Sequence, residues 1–368
     1  MKGKAFRLFP LLAAALCLSG GGCRRAVVEL PALPTREPTA IADRQARSAS
    51  EPAYDIVTLA EPDAVQAIDH PEFWTAEEAD RRYAPQEKVI GVAGDGEARA
   101  YSVPFLSRHQ VVNDSLTGLP IAVTWSPLCY TTMVYVRPGI DGRELDFGVS
   151  GKVVMGCFLM YDRQSDSLWS QVLGEAVWGP LRGRKLERLP AVLTTWGAWR
   201  AAHPDTEALA TSGDPTDPYA TYYTSPDAGA RGAAVRDDRL PRKALVLGAL
   251  VDDQPTAYSM EALANAVVSN ETVGERGMLA VRDPATGTAF AFDREVNGRR
   301  LTFRRDTDAE GGLALVDAET GSRWSPWTGQ ASEGPLFGRG LTPLPATTAF
   351  WFAWRDHYPD TIVYSGDG

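Results

Sequence analysis

Apolar and polar positions alternate over short stretches along this chain, and a sustained helical period is rare. Ile121-Ala122-Val123-Thr124-Trp125, Thr132-Met133-Val134-Tyr135-Val136, Leu145-Asp146-Phe147-Gly148-Val149 and Phe158-Leu159-Met160-Tyr161 are short apolar or alternating runs. Each is bounded by turn formers, among them Pro127, Pro138-Gly139, Asp141-Gly142 and Ser150-Gly151. This pattern predicts short strands, and Asp141-Gly142 predicts a hairpin. Two segments read as helical, one over 104–112 and one over 195–202, where Thr195 can cap the start and His203-Pro204 ends it. In the second, Trp196, Trp199 and Arg200 share one face.

The pattern occurs twice. Lys88-Val89-Ile90-Gly91-Val92 with Ala100-Tyr101-Ser102 returns 157 residues later as Leu245-Val246-Leu247-Gly248-Ala249 with Ala257-Tyr258-Ser259. Asp162 with Trp169-Ser170, Gly179-Pro180-Leu181 and Leu189-Pro190-Ala191 return 155 residues later as Asp317 with Trp324-Ser325, Gly334-Pro335-Leu336 and Leu344-Pro345-Ala346. Trp196-Gly197-Ala198-Trp199-Arg200 likewise returns as Trp351-Phe352-Ala353-Trp354-Arg355. Collinear matches of this kind mark a duplication. The expected fold is α+β and predominantly β, with two tandem homologous units, 53–206 and 243–368, packed as an internal pseudo-dimer. A connector rich in Asp, Pro, Gly and Tyr, 207–242, joins them, and the second unit is a degenerate copy that supports the first.

Composition narrows the class. With 44% hydrophobic and 23% charged residues the chain has material for a large core and is not a disordered protein. Its 34 Gly, 26 Pro and many aromatic residues argue against a helical bundle. From Cys23 onward 34 basic residues face 47 acidic ones, which disfavours a nucleic-acid partner. The amino terminus has basic Lys2, Lys4 and Arg7, an apolar run over 8–18 and small residues up to Gly22, the layout of a signal peptide over 1–22. That run is too short to span a bilayer. Cys23 then resembles the lipidated cysteine of a bacterial lipobox, although Gly20 stands where Leu is usual, and ordinary signal cleavage is the alternative. The expectation is an exported protein, in the periplasm or at the cell surface. A lipid on Cys23 would anchor it to the membrane through a flexible tether over 23–52.

Several strings of the first unit resemble the bacterial domain of unknown function 3179 family. They are Ala67-Ile68-Asp69-His70-Pro71-Glu72-Phe73, His109 through Asn113-Asp114, Pro120 through Trp125-Ser126-Pro127-Leu128-Cys129, Phe147 through Ser150-Gly151, and Leu159 through Asp162-Arg163 to Trp169-Ser170-Gln171. Pro218-Tyr219 to Tyr223 and Leu240-Pro241-Arg242-Lys243 extend the likeness into the connector. The resemblance implies an exported protein and supplies no reaction. The family usually carries a Cys-Pro-Leu-Cys pair, and this chain has Ser126 at the first cysteine, which excludes a two-thiol switch inside that motif. Met155 and Cys157 stand where the family tends to be polar, so a second thiol lies 28 residues after Cys129.

Comparing the copies suggests where chemistry could sit. Features found twice belong to the shared fold, and His109, Cys129, Ser150-Gly151 and Cys157 occur only in the first unit, opposite Asn265, Thr286 and Gly312 for the His and the two Cys. One reading makes His109 and Cys129, with Cys157 or Met155, a soft copper-like metal site, since sulfur and imidazole donors favour that ion. A second makes Cys129 a nucleophile or redox group with His109 as base and Asp114 or Asp162 as orienting acid. In either, Asn113, Ser150 and Asp162 are supporting hydrogen-bonding groups. The competing reading is a non-catalytic binding or scaffold protein, with a protein or small-molecule partner, in which Cys129 and Cys157 are bridged or buried. No Gly-rich phosphate loop, His-Glu-x-x-His or Gly-x-Ser-x-Gly motif is present.

Overall fold

The computed structural model describes residues 54–94, 96–140, 142–230, 237–309 and 312–364. The signal peptide and tether expected over 1–52, with Cys23, lie outside the described residues.

The alternating runs become three sheets per unit, laid down in the same order twice. In the first unit, Lys88–Gly94 and Glu97–Ser102 form a hairpin. Val192–Thr195 returns antiparallel to its first strand and Glu207–Leu209 runs parallel to its second. The second unit repeats this with Leu245–Val251 and Gln254–Ser259, flanked by antiparallel Ala346–Phe350 and parallel Ile362–Tyr364. The middle sheet orders Val111–Leu116, Leu119–Ser126, Thr131–Val136 and Arg188–Leu189 side by side, and its counterpart orders Val268–Val273, Arg276–Arg282, Ala289–Asp293 and Thr342–Pro343. The third sheet runs through Phe147–Val154, Cys157–Asp162, Leu168–Ser170 and Glu175–Trp178, matched by Phe303–Arg305, Leu315–Asp317, Arg323–Trp324 and Ala331–Glu333. Gly139–Ile140 and Arg143–Glu144 pair as the hairpin expected around Gly142, while Asp141 is outside the described residues.

The duplicated residues do the same physical work in both copies. Trp169 Nε1 donates to Asp162 Oδ2 at 2.8 Å, and Trp324 Nε1 donates to Asp317 Oδ2 at 2.9 Å. Trp199 and Trp354 each donate to a threonine, Thr206 or Thr361, at 2.9 Å. A Cβ on Gly91 would lie 2.3 Å from the Trp199 indole, and one on Gly248 would lie 2.4 Å from that of Trp354. Only glycine lets the tryptophan helix lie flush on the strand beneath it.

The helix expected over 195–202 is Trp196–Ala202, with Thr195 Oγ1 accepting from Ala198 N and His203 at its end. The helix expected over 104–112 is shorter, a single turn at Val103–Leu106 capped by Ser102. Gln110 then takes a φ of 62°, and Val111-Val112 continue as a strand paired with Leu119–Ser126. Two successive β-branched residues gain more from a buried ladder than from another helical turn. Val267, with a φ of 66°, makes the same kink in the second unit. This register sets Ala266, not Asn265, opposite His109.

The largest core is built by both units. It gathers Cys129, Met133, Tyr135 and Trp169 from the first with Val246, Phe350, Trp351 and Trp354 from the second, and adds Ala228 of the connector. Burial of each Leu- or Phe-sized side chain contributes about 1.5–3 kcal/mol, so a seam of this kind carries much of the stability. Polar contacts cross it in both directions. Thr132 N donates to Thr347 Oγ1 at 3.1 Å, and the Thr194 and Thr288 hydroxyls meet at 2.7 Å.

Candidate functional site

Cys129 and Cys157 are joined by a disulfide with a Cα–Cα distance of 5.7 Å, and both residues are fully buried. Cys129 ends the turn after Leu119–Ser126, and Cys157 opens a strand just after the tight Met155-Gly156 turn, so topology brings their Cβ atoms together. Second-unit and connector groups hold this turn. Phe350 N donates to Cys129 O at 2.9 Å and Tyr222 OH to Leu128 O at 2.6 Å. Tyr130, at a φ of 55°, packs its ring among Trp125, Tyr223 and Phe350. Each sulfur is bonded to the other, so neither presents a thiolate to a metal or a substrate in this state. Among the described residues no group of three or more His, Cys, Asp or Glu gathers in the way a metal ion requires.

The remaining sequence candidates are placed separately. His109 Nδ1 lies 2.8 Å from Gln66 O and its ring packs at a tilt against Phe105, with centroids 4.4 Å apart. Among the described residues no hydrogen bond or ring contact links it to Cys129. Asp114, the alternative orienting acid, is engaged by Arg99 at 2.8 Å and by Tyr101 OH at 2.6 Å. Ser150 Oγ donates to Leu159 O at 2.6 Å and steadies the bulged strand beside Gly151. Asn113 donates to Phe147 O and accepts from Phe147 N, and Asn270 makes the same pair with Phe303. Asp162 binds Ser165 and Trp169 as Asp317 binds Thr320 and Trp324. Asn113 and Asp162 therefore do a job that both copies share, which is the mark of a residue that holds the fold.

Sequence reasoning missed a pair of clefts at the seam. The first lies where Thr132, Met133 and Val134 of one unit face Gly248, Thr347 and Trp354 of the other, and it is closed to about 10 Å³. Arg188 closes it. Its guanidinium donates to Val172 O at 2.9 Å, Leu173 O at 2.7 Å and Tyr358 OH at 2.6 Å. The second lies where the corresponding residues face each other with the units exchanged, Phe290 and Phe292 of the second unit against Gly91 and Trp199 of the first. It is open, with a volume of about 450 Å³.

The open cleft has aromatic walls and little charge. Trp327 meets Phe290 edge-on at 5.0 Å, and His203 packs at a tilt against Trp199 at 4.0 Å. Burial holds the His203 imidazole below its ordinary pKa of 6.5, so at neutral pH it is uncharged. Glu97 lies on the rim, and among the described residues no Lys or Arg lines the cleft. A larger hollow of about 880 Å³ lies across Trp327 and Thr328, next to Asp283 and Arg305. The signal for the clefts lay in the alignment of the two copies: at a separation of 155 residues, Pro343 stands opposite Arg188 and Tyr358 opposite His203.

Comparison with known proteins returns one family. A family model described as a protein of unknown function, DUF3179, matches residues 62–361. No curated protein and no solved structure matches the chain.

Proposed function

The chain belongs to the DUF3179 family, and from that premise we propose that it is an exported, membrane-anchored binding protein whose disulfide is structural and whose ligand site is the open cleft between its two units. The observation that carries this reading is the buried Cys129–Cys157 bridge. A copper-like or thiol-redox site at His109, Cys129 and Cys157 needs free sulfur, and both sulfurs are spent on each other. What remains is a large concave, mostly apolar space with a few polar groups, the usual form of a small-ligand site.

Three features support export and anchoring through Cys23: the basic start, the apolar run over 8–18 and the small residues before Cys23. A stable disulfide also fits an oxidising compartment. The packing of Ala346–Phe350 on Thr131–Val136 and of Val192–Thr195 on Ala289–Asp293 supports an internal pseudo-dimer, in which one patch of each unit meets the matching patch of the other.

The test is alkylation of the purified protein, unfolded without reductant, followed by mass spectrometry, alongside native mass spectra taken with and without added copper. The expected result is no label on Cys129 or Cys157 and no stoichiometric copper adduct. Full labelling of both cysteines, or a copper adduct lost on His109→Ala, would overturn the reading.

A further inference from the structure

The two clefts are the same place in a duplicated architecture, and one of them shows what the other is shaped to hold. In the closed cleft Arg188, on a strand that pairs with Tyr135, lays its guanidinium on the carbonyls of Val172 and Leu173 and on the hydroxyl of Tyr358. Every part of that cradle has a counterpart in the open cleft. Pro343, paired with Phe292, stands at the position of Arg188 and has no side-chain donor. Trp327 and Thr328 stand at the positions of Val172 and Leu173, in turns closed alike by Gly174 N to Ser170 O at 2.8 Å and Gly329 N to Ser325 O at 2.9 Å. Among the described residues nothing donates to the carbonyls of Trp327 or Thr328. His203 stands at the position of Tyr358 and packs at a tilt against Trp199 as Tyr358 does against Trp354.

We propose that the open cleft binds the guanidinium group of a ligand, seated on the Trp327 and Thr328 carbonyls beside the Trp327 ring. This rests on the binding reading above and gives its ligand a chemical class. A planar, weakly hydrated cation suits this site for three reasons. Backbone carbonyls accept its forked donors, the half-buried Trp327 ring attracts its charge, and Glu97 on the rim supplies the opposite sign with no Lys or Arg among the described lining residues to repel it. A carboxylate or phosphate would meet the charge of Glu97 and no Lys or Arg among the described lining residues.

The experiment follows the indole N–H resonances of Trp199 and Trp327 by NMR during titration of the full protein with four probes. These are N-acetyl-arginine amide, its neutral isostere N-acetyl-citrulline amide, the neutral aromatic 2-naphthol, and an alanine peptide with one central arginine. The expected result is saturable shifts with the arginine compound and binding about tenfold weaker for citrulline, the loss of one charge-assisted contact. Pro343→Arg, which rebuilds the internal plug, should abolish the shifts while leaving the melting temperature unchanged or higher. Trp327→Leu should weaken binding in a folded protein, which guards against a Pro343→Arg variant that fails to fold. Tighter binding of the peptide than of the capped residue would identify a chain-borne arginine, and equal binding a small guanidinium compound. Equal affinity for arginine and citrulline, or a response to 2-naphthol alone, would overturn the guanidinium assignment and leave the binding reading standing. No response to any probe would overturn both for this cleft.

Discussion

Arg188 and Pro343 hold the same position in the two units. Each sits on a short strand across from an aromatic residue, Tyr135 for the first and Phe292 for the second, and only the arginine fills the cleft in front of it. Replacing Arg188 with Met should open the closed cleft, leave the carbonyl of Leu173 without its donor and leave that of Val172 with the Tyr358 hydroxyl alone, at 3.2 Å. The expected cost is about 2–3 kcal/mol, read from urea unfolding. Pro343→Ala, in front of the open cleft, should cost less than about 1 kcal/mol. Equal losses at the two positions would show that Arg188 does not act as a plug.

The disulfide closes a loop with a sequence separation of 28. Replacing Cys129 and Cys157 together with Ala should lower stability by about 3–4 kcal/mol, chiefly by freeing the unfolded chain. Denaturant melts of oxidised, reduced and double-variant protein check this. The reduced protein and the variant should agree to within about 1 kcal/mol.

Ser126 ends the strand before the turn that carries Cys129, and among the described residues its buried hydroxyl has no partner. An unpaired buried hydroxyl costs about 1–3 kcal/mol, so Ser126→Ala should raise the melting temperature. A fall would mean that Ser126 makes a compensating contact, for instance through a bound water.

His357 lies at the end of the second tryptophan helix. Its Nδ1 donates to Ala353 O at 2.7 Å, and its Nε2 is buried without a partner. Burial, with the positive charge of Arg188 as a smaller contribution, brings its pKa down from 6.5 to about 4. The unfolded chain takes up this proton near the ordinary histidine pKa while the folded protein holds out to the lower value. Stability from this group is therefore complete above about pH 6.5 and declines as pH falls towards about 4, by about 3 kcal/mol over the whole window. Stability measured between these limits should fall less steeply for His357→Gln.

Much of the architecture was legible because it was written twice. Gly91 with Trp199 and Gly248 with Trp354 give the same packing at matching positions, and such pairs can be recognised from spacing alone. The segment after Leu106 was misread because nothing local shows that Val111 and Val112 will find a ladder in Leu119–Ser126. The candidate site was legible only in part. Cys129 and Cys157 were identified as a pair that could bridge, yet searching the first copy for chemistry absent from the second drew attention to His109. The cleft arises from the opposite difference, the loss of Arg188 from the second copy. Its walls come from residues far apart in sequence, such as Trp199 and Phe290, whose meeting depends on how the units pack.

The shared core also has a consequence in time. Cys129 lies far upstream of Phe350 in the chain, yet Phe350 N closes on Cys129 O, and Trp351 and Trp354 complete the core around the bridge. The core around the bridge is therefore incomplete until the last helix of the chain is in place. The two copies should therefore unfold in a single transition in a calorimetric melt, and neither half alone should keep the structure it has in the whole.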